Sequence, residues 1–123
     1  MRKLKCLIVE DEFLIAFHLK TTLARAGYEV CEAAISGEQA VEIARRESPD
    51  VILMDIRLLG AMDGIEAAQR IRAFSFAHII FTTGYSDPNL KERAMVLKPA
   101  AYLSKPVNVN QIKAILQPLY GAE

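Results

Sequence analysis

The stretch Val51-Ile52-Leu53-Met54-Asp55 is an unbroken apolar run of strand length that stops at a carboxylate. A strand with one wet face alternates polar and apolar residues, so an uninterrupted run fits a strand covered on both faces, as in a parallel sheet flanked by helices. Asp55 then stands at the strand's carboxyl end. In open α/β sheets that edge is where ligands bind, because its loops are free of the packing that fills the rest of the sheet. Cys6-Leu7-Ile8-Val9, followed at once by Glu10-Asp11-Glu12, repeats the pattern. Two buried strands that end in acid define a candidate shared carboxylate site.

Taken in order, the chain alternates the two periods of regular structure. After the acidic triplet, Ile15, Ala16, Leu19, Leu23 and Ala26 recur at helical spacing, and Gly27 stands where a helix C-cap would be. Tyr28 to Ile35 reads as the second strand. Ser36 and Gln39 form a capping box for a helix over Gly37 to Glu47, which Ser48-Pro49 ends. Beyond Asp55 comes a loop, Ile56 to Met62, and then Asp63 caps a helix carrying Ile65, Ala68 and Ile71. Ala77 to Thr82 is the fourth strand. Asp87-Pro88 opens a fourth helix that ends near Leu97 before Pro99. Ala100 to Ser104 is a short fifth strand, and Asn108 caps a last helix with Ile112, Ile115, Leu116 and Leu119 as its stripe. Five strands alternating with five helices predict an α/β fold, a doubly wound five-stranded parallel sheet.

Composition narrows the function classes. The 123 residues, 52% of them hydrophobic, suit one domain, read as residues 1–123. Lys and Arg total 15 against 15 Asp and Glu, so no basic field draws the chain to nucleic acid. The longest apolar run, Phe13 to Phe17, falls far short of the ~20 residues that cross a bilayer. Basic Arg2, Lys3 and Lys5 lack the apolar stretch and cleavage site of a secretion signal. Cys6 and Cys31, without metal-ligand spacing, read as two reduced, buried thiols of a cytoplasmic protein, with a disulfide as the alternative. His18 and His78 have no ligand partners at suitable spacing and read as structural.

On this topology Glu10 and Asp11 after strand one, Asp55 ending strand three, Thr83 after strand four and Lys105 after strand five meet at one edge. Crowded carboxylates repel one another, and oxygen donors with little else suit Mg²⁺, which keeps several waters and leaves room for a phosphate oxygen. Asp55 is the candidate nucleophile, because a carboxylate can accept a phosphoryl group. Lys105 can neutralise the transferred charge, and the Thr83 hydroxyl can donate to a phosphoryl oxygen. Glu12 reads as a first-turn acid favoured by the helix dipole.

Five pieces in order, Val9-Glu10-Asp11-Glu12, Met54-Asp55, Met62-Asp63-Gly64, Thr83-Gly84 and Tyr102-Leu103-Ser104-Lys105-Pro106, give a resemblance to the receiver domain of two-component response regulators, covering Lys5 to about Tyr120. The resemblance implies a flavodoxin-like sheet of order 2-1-3-4-5. It implies Mg²⁺ held by Glu10 or Asp11, Asp55 and the backbone carbonyl of Arg57, a cis peptide at Lys105-Pro106, and Tyr102 as an aromatic that swings with Thr83; half-buried strand packing is the plainer reading of Tyr102. The chain departs from the common receiver pattern in the loop from Ile56 to Met62, which has no proline and is one residue longer, and in Lys98-Pro99-Ala100, which replaces the usual Gly-Ala pair. Phe81-Thr82-Thr83-Gly84-Tyr85 is similar to a Phe-Ala-Thr-Gly-x-Tyr motif of a single-domain subgroup, with Thr82 in place of Ala and Tyr85 one place early.

The expectation is a cytoplasmic phosphorylation switch, a monomer or weak dimer, that accepts a phosphoryl group from a sensor histidine kinase or phosphotransfer protein onto Asp55 with Mg²⁺. With only Gly121-Ala122-Glu123 beyond the last helix, output is expected through protein contacts or onward phosphotransfer, unless the chain is cut from a longer one. An enzyme alternative, a Mg²⁺-dependent phosphatase with an aspartyl nucleophile, lacks a second acid two residues beyond Asp55, where Arg57 stands. A phosphorylation-independent interaction module is the other alternative.

Overall fold

The computed structural model describes residues 3–84 and 87–120; of the features named above, Arg2, Tyr85 and Gly121 to Glu123 lie outside them. Among the described residues the elements run β1 (Lys5–Val9), α1 (Phe13–Arg25), β2 (Glu29–Val30), α2 (Gly37–Glu47), β3 (Val51–Asp55), α3 (Gly64–Arg72), β4 (His78–Thr83), α4 (Pro88–Met95), β5 (Ala101–Ser104) and α5 (Val109–Tyr120). Neighbouring strands are all parallel, in the order β2-β1-β3-β4-β5. This is the doubly wound, flavodoxin-like sheet.

The apolar run that ends at Asp55 is the middle strand, and all five of its residues are buried. Because successive side chains point to opposite faces, the run splits between two cores. Ile52 and Met54 join Leu7, Ile79 and Phe81 under α2 and α3, while Val51 and Leu53 join Ile8 and Ile80 under α1 and α5. Each such side chain contributes about 1.5–3 kcal/mol through burial. Four of the helices begin at satisfied side-chain caps, whereas α1 begins at Glu12 without one. Ser36 accepts from the Gln39 amide, Asp63 from that of Glu66, Asp87 from that of Asn89 and Asn108 from that of Gln111.

Several boundaries differ from the sequence reading. The second strand pairs over two residues, Glu29 and Val30, not from Tyr28 to Ile35, because the chain leaves regular pairing after Val30. Beyond Val30 it touches β1 through Cys31 and Ala34, while exposed Glu32 turns to Arg46 on α2. Gln39 reaches back to the Ile35 amide, one residue before the Ser36 amide that a capping box uses. The fourth strand is shifted by one residue, to His78–Thr83, and α4 stops at Met95 rather than near Leu97, with Lys98 in a left-handed turn (φ 51°) ahead of Pro99. Leu119, counted in the last apolar stripe, is 45% exposed, because α5 turns Ile112, Leu116 and Tyr120 toward the core. His78 is structural: its Nδ1 lies 2.9 Å from the Tyr120 hydroxyl, which also donates to the Asp50 carbonyl.

Both cysteines are free thiols, buried in the sheet. Burial, with Cys31 and Asp50 adding to it, pushes the Cys6 thiol up to about 12, and burial raises Cys31 as well. The thiolate is the reactive form. Native protein at pH 8 should therefore react with a disulfide thiol reagent over hours, and protein unfolded in guanidinium should show two rapidly titrating thiols.

Candidate functional site

Strand register brings the polar ends level. Val9 pairs with Met54, Asp55 with Thr82, and Thr83 with Ser104, so Glu10, Asp55, Thr83 and Lys105 gather at one edge, as the alternation of elements predicts. Backbone bonds fix each of them. The Glu10 amide donates to Ala34 (2.9 Å), the Ile56 amide to Thr82 (3.1 Å), and the Lys105 amide to Thr83 (2.8 Å) just before the cis peptide to Pro106. Behind Asp55 the chain turns back on itself, with the Gly64 amide donating to Ile56 (2.8 Å). A Cβ on Gly64 would overlap the Asp55 carbonyl oxygen and stand 2.9 Å from its carbon. Glycine is thus required here by close approach, and it lets α3 start directly against the Asp55 backbone.

The electrostatic centre is Lys105. Its ammonium lies 2.7 Å from Glu10 Oε1 and 2.9 Å from Asp55 Oδ2, with both carboxylates buried. Glu10 Oε2 also accepts from the Glu12 amide (3.1 Å). The half-buried Asp11 completes the group: oxygens of Glu10, Asp11 and Asp55 lie within 4.8 Å of one another. One ammonium against three carboxylates leaves negative charge to be offset, and an all-oxygen donor set fits a hard divalent cation such as Mg²⁺. Arg57 is two residues past Asp55 with an exposed side chain.

Burial raises the Glu10 and Asp55 carboxyls above their usual values, against the pull of the hydrogen bonds from Lys105. For Lys105, burial opposes the charge, but its hydrogen bonds to Glu10 and Asp55 outweigh burial and raise it, so it remains an ammonium. Thr83 is buried beside this group. Tyr102 is half-buried one strand over, and with Thr83, Asp87, Lys91 and Lys105 it lines a cavity of about 390 Å³.

One feature was missed in the sequence. A groove of about 460 Å³ runs between α1 and the turn after Lys105, lined by Leu14, Ile15, Leu19, Pro106 and Val107, with Glu10 and Lys105 at its inner end. Beside it Phe13, Leu14 and Phe17 are more than half exposed, the two phenylalanine rings stacked at 6.0 Å. The signal was the run Phe13 to Phe17 itself, which is apolar at positions that a helix with one buried face leaves polar.

A family model described as the response regulator receiver domain matches residues 6–117. The chain is 38% identical over 108 residues to the transcriptional regulatory protein PdtaR of Mycobacterium tuberculosis, covering 88% of this chain and 52% of that protein, so it spans about half that relative's length. It is 31% identical over 110 residues to sporulation initiation phosphotransferase F of Bacillus subtilis, covering 89% of this chain and 87% of that one. Among solved structures, the signal receiver domain of a modulated diguanylate cyclase from Desulfovibrio desulfuricans has a TM-score of 0.89 at 38% identity, covering 95% of this chain and 93% of that chain. A Burkholderia pseudomallei response regulator with a phosphorylated aspartic acid, calcium ion and citrate has a TM-score of 0.84 at 29% identity, covering 94% of this chain and 67% of that chain.

The raised carboxyls carry a signed consequence for stability. Where a folded-state carboxyl is raised, the native protein holds a proton that the unfolded chain has released, so its contribution to stability falls as pH rises above the ordinary carboxylate range of about 4. Asp55→Asn removes that cost while its amide oxygen can still accept from Lys105. In urea titrations of metal-free protein this variant should be more stable than the parent at pH 7. The gain should shrink as pH falls into the carboxylate range; a variant less stable than the parent at pH 7 would contradict the electrostatic reading.

Proposed function

This chain belongs to the response regulator receiver family, and from that premise we propose that it is a phosphorylation switch whose Asp55 accepts a phosphoryl group from a phosphohistidine. The family acts in two-component phosphorelay signalling. The observation that carries the proposal is the Lys105 ammonium held between the Glu10 and Asp55 carboxylates at the end of the central strand. In the proposed step an Asp55 carboxylate oxygen attacks phosphorus, a P–O bond forms, the P–N bond breaks, and the imidazole keeps the electron pair. Water later hydrolyses the acyl phosphate.

The residues divide the work. Lys105 leaves Asp55 to offset charge on the transferred phosphoryl, remaining tied to Glu10. Glu10, Asp11, Asp55 and the Arg57 backbone carbonyl are the proposed holders of Mg²⁺, which when bound neutralises carboxylate and phosphoryl charge. Thr83 donates to a phosphoryl oxygen, and Tyr102 turns toward the space Thr83 vacates, biasing the face made by α4, β5 and α5. Arg57 cannot serve as a proton donor to a leaving group, so the chain is a phosphoacceptor rather than a phosphatase of external substrates.

The donor is a protein, a sensor histidine kinase or a phosphotransfer protein. Support comes from the exposed Phe13, Leu14 and Phe17 and the groove that leads to Lys105, since a partner that reaches Asp55 can bury this apolar surface. Among the described residues no helix is long and apolar enough to cross a membrane. We place the chain in the cytoplasm and treat residues 1–123 as one receiver domain. With acetyl phosphate and Mg²⁺ the protein should gain one base-labile phosphoryl group on Asp55, and EDTA should abolish it. An undiminished adduct in Asp55→Asn would overturn the assignment.

A further inference from the structure

The helix that flanks the proposed switch is weakly attached. Of the eight residues of α4 only Ala94 is buried, with Leu90 and the following Leu97 packed partly against the core. Its first turns meet β5 through charge instead. The Lys91 ammonium lies 5.7 Å from the centre of the Tyr102 ring, within the range of a cation–π attraction. Asp87, the N-cap of α4, and Lys91 in its first turn both line the cavity that holds Thr83 and Tyr102. Burial and then the nearby Asp87 carboxylate raise the Tyr102 phenol. Tyr102 thus shares one cavity with the Asp87 carboxylate and the Lys91 ammonium.

We infer that Lys91 is a latch: its ammonium over the Tyr102 ring holds that ring in the half-buried position and so opposes activation at Asp55. The inference rests on the proposed Asp55 and Tyr102 reading and adds a residue to it. Tyr102 cannot turn inward without leaving the Lys91 ammonium. The unphosphorylated state therefore gains an attraction that the activated state loses. A partly exposed cation–π contact changes such an equilibrium by roughly two- to fivefold, and a state-dependent contact shifts apparent affinity by the same factor.

The sign separates a latch from an ordinary surface lysine. A lysine that acted only as a positive charge near the site would favour an anion there, and its removal would weaken anion binding. Removing a latch does the opposite. In titrations of the Mg²⁺-loaded protein with beryllofluoride, followed by amide NMR, Lys91→Met should bind roughly two- to fivefold more tightly than the parent, and Lys91→Arg should match the parent because it keeps a cation over the ring. In the Tyr102→Leu background, Lys91→Met should have no effect. Unchanged or weaker binding by Lys91→Met, or an equal gain with and without Tyr102, would overturn the latch while leaving Asp55 as acceptor. A parent protein that binds no beryllofluoride would overturn the Asp55 reading and the latch with it.

Discussion

A single ammonium between two buried carboxylates organises this molecule. Glu10 and Asp55 end adjacent strands, and parallel register forces their oxygens into one small space, where Asp11 joins them. Buried charge is tolerated when it is paired and hydrogen-bonded, and Lys105, arriving from β5 at 2.7 and 2.9 Å, is the pairing the fold supplies. It offsets one of three negative charges. The remaining imbalance makes the edge receptive to a divalent cation and, once that charge is offset, to a phosphoryl group.

The scaffold's contribution is to leave these groups little freedom. Asp55 is fixed by β3 on one side and by the turn that returns through Gly64 on the other, and Lys105 by the hydrogen bond its backbone amide donates to the Thr83 carbonyl. The freedom lies farther out. From Thr83 to Tyr102 and α4 the contacts become partial and charged, with one buried residue in the helix. A closely held carboxylate site beside a loosely held helix suits the proposed switch, because local opening is easiest where little apolar surface is buried.

Most of this was legible in the sequence, for identifiable reasons. The runs Cys6 to Val9 and Val51 to Met54 could be strands covered on both faces, and the caps Ser36, Asp63, Asp87 and Asn108 announce themselves by residue type. Once the strands are parallel and alternate with helices, their carboxyl ends share an edge, so Glu10, Asp11, Asp55, Thr83 and Lys105 could be grouped without coordinates. What stayed hidden depends on tertiary neighbours. Composition from Tyr28 to Ile35 suits a strand, but the chain leaves regular pairing after Val30, where Glu32 turns to Arg46 on α2. Nothing local says that Glu10 shares Lys105 with Asp55 or that Lys91 reaches Tyr102 across 5.7 Å.

The central claim is that the carboxylates are held together at an electrostatic cost that a divalent cation relieves. The most direct test is the stability of the unphosphorylated protein in urea as Mg²⁺ is added at constant ionic strength. A ligand that binds only the folded state stabilises it progressively, by about 2.7 kcal/mol at a hundredfold excess over its dissociation constant. The parent should gain stability in this way, and Asp11→Ala should gain distinctly less at the same Mg²⁺ concentration. An unfolding midpoint that does not move with Mg²⁺ in the parent, or that moves equally in Asp11→Ala, would contradict the claim.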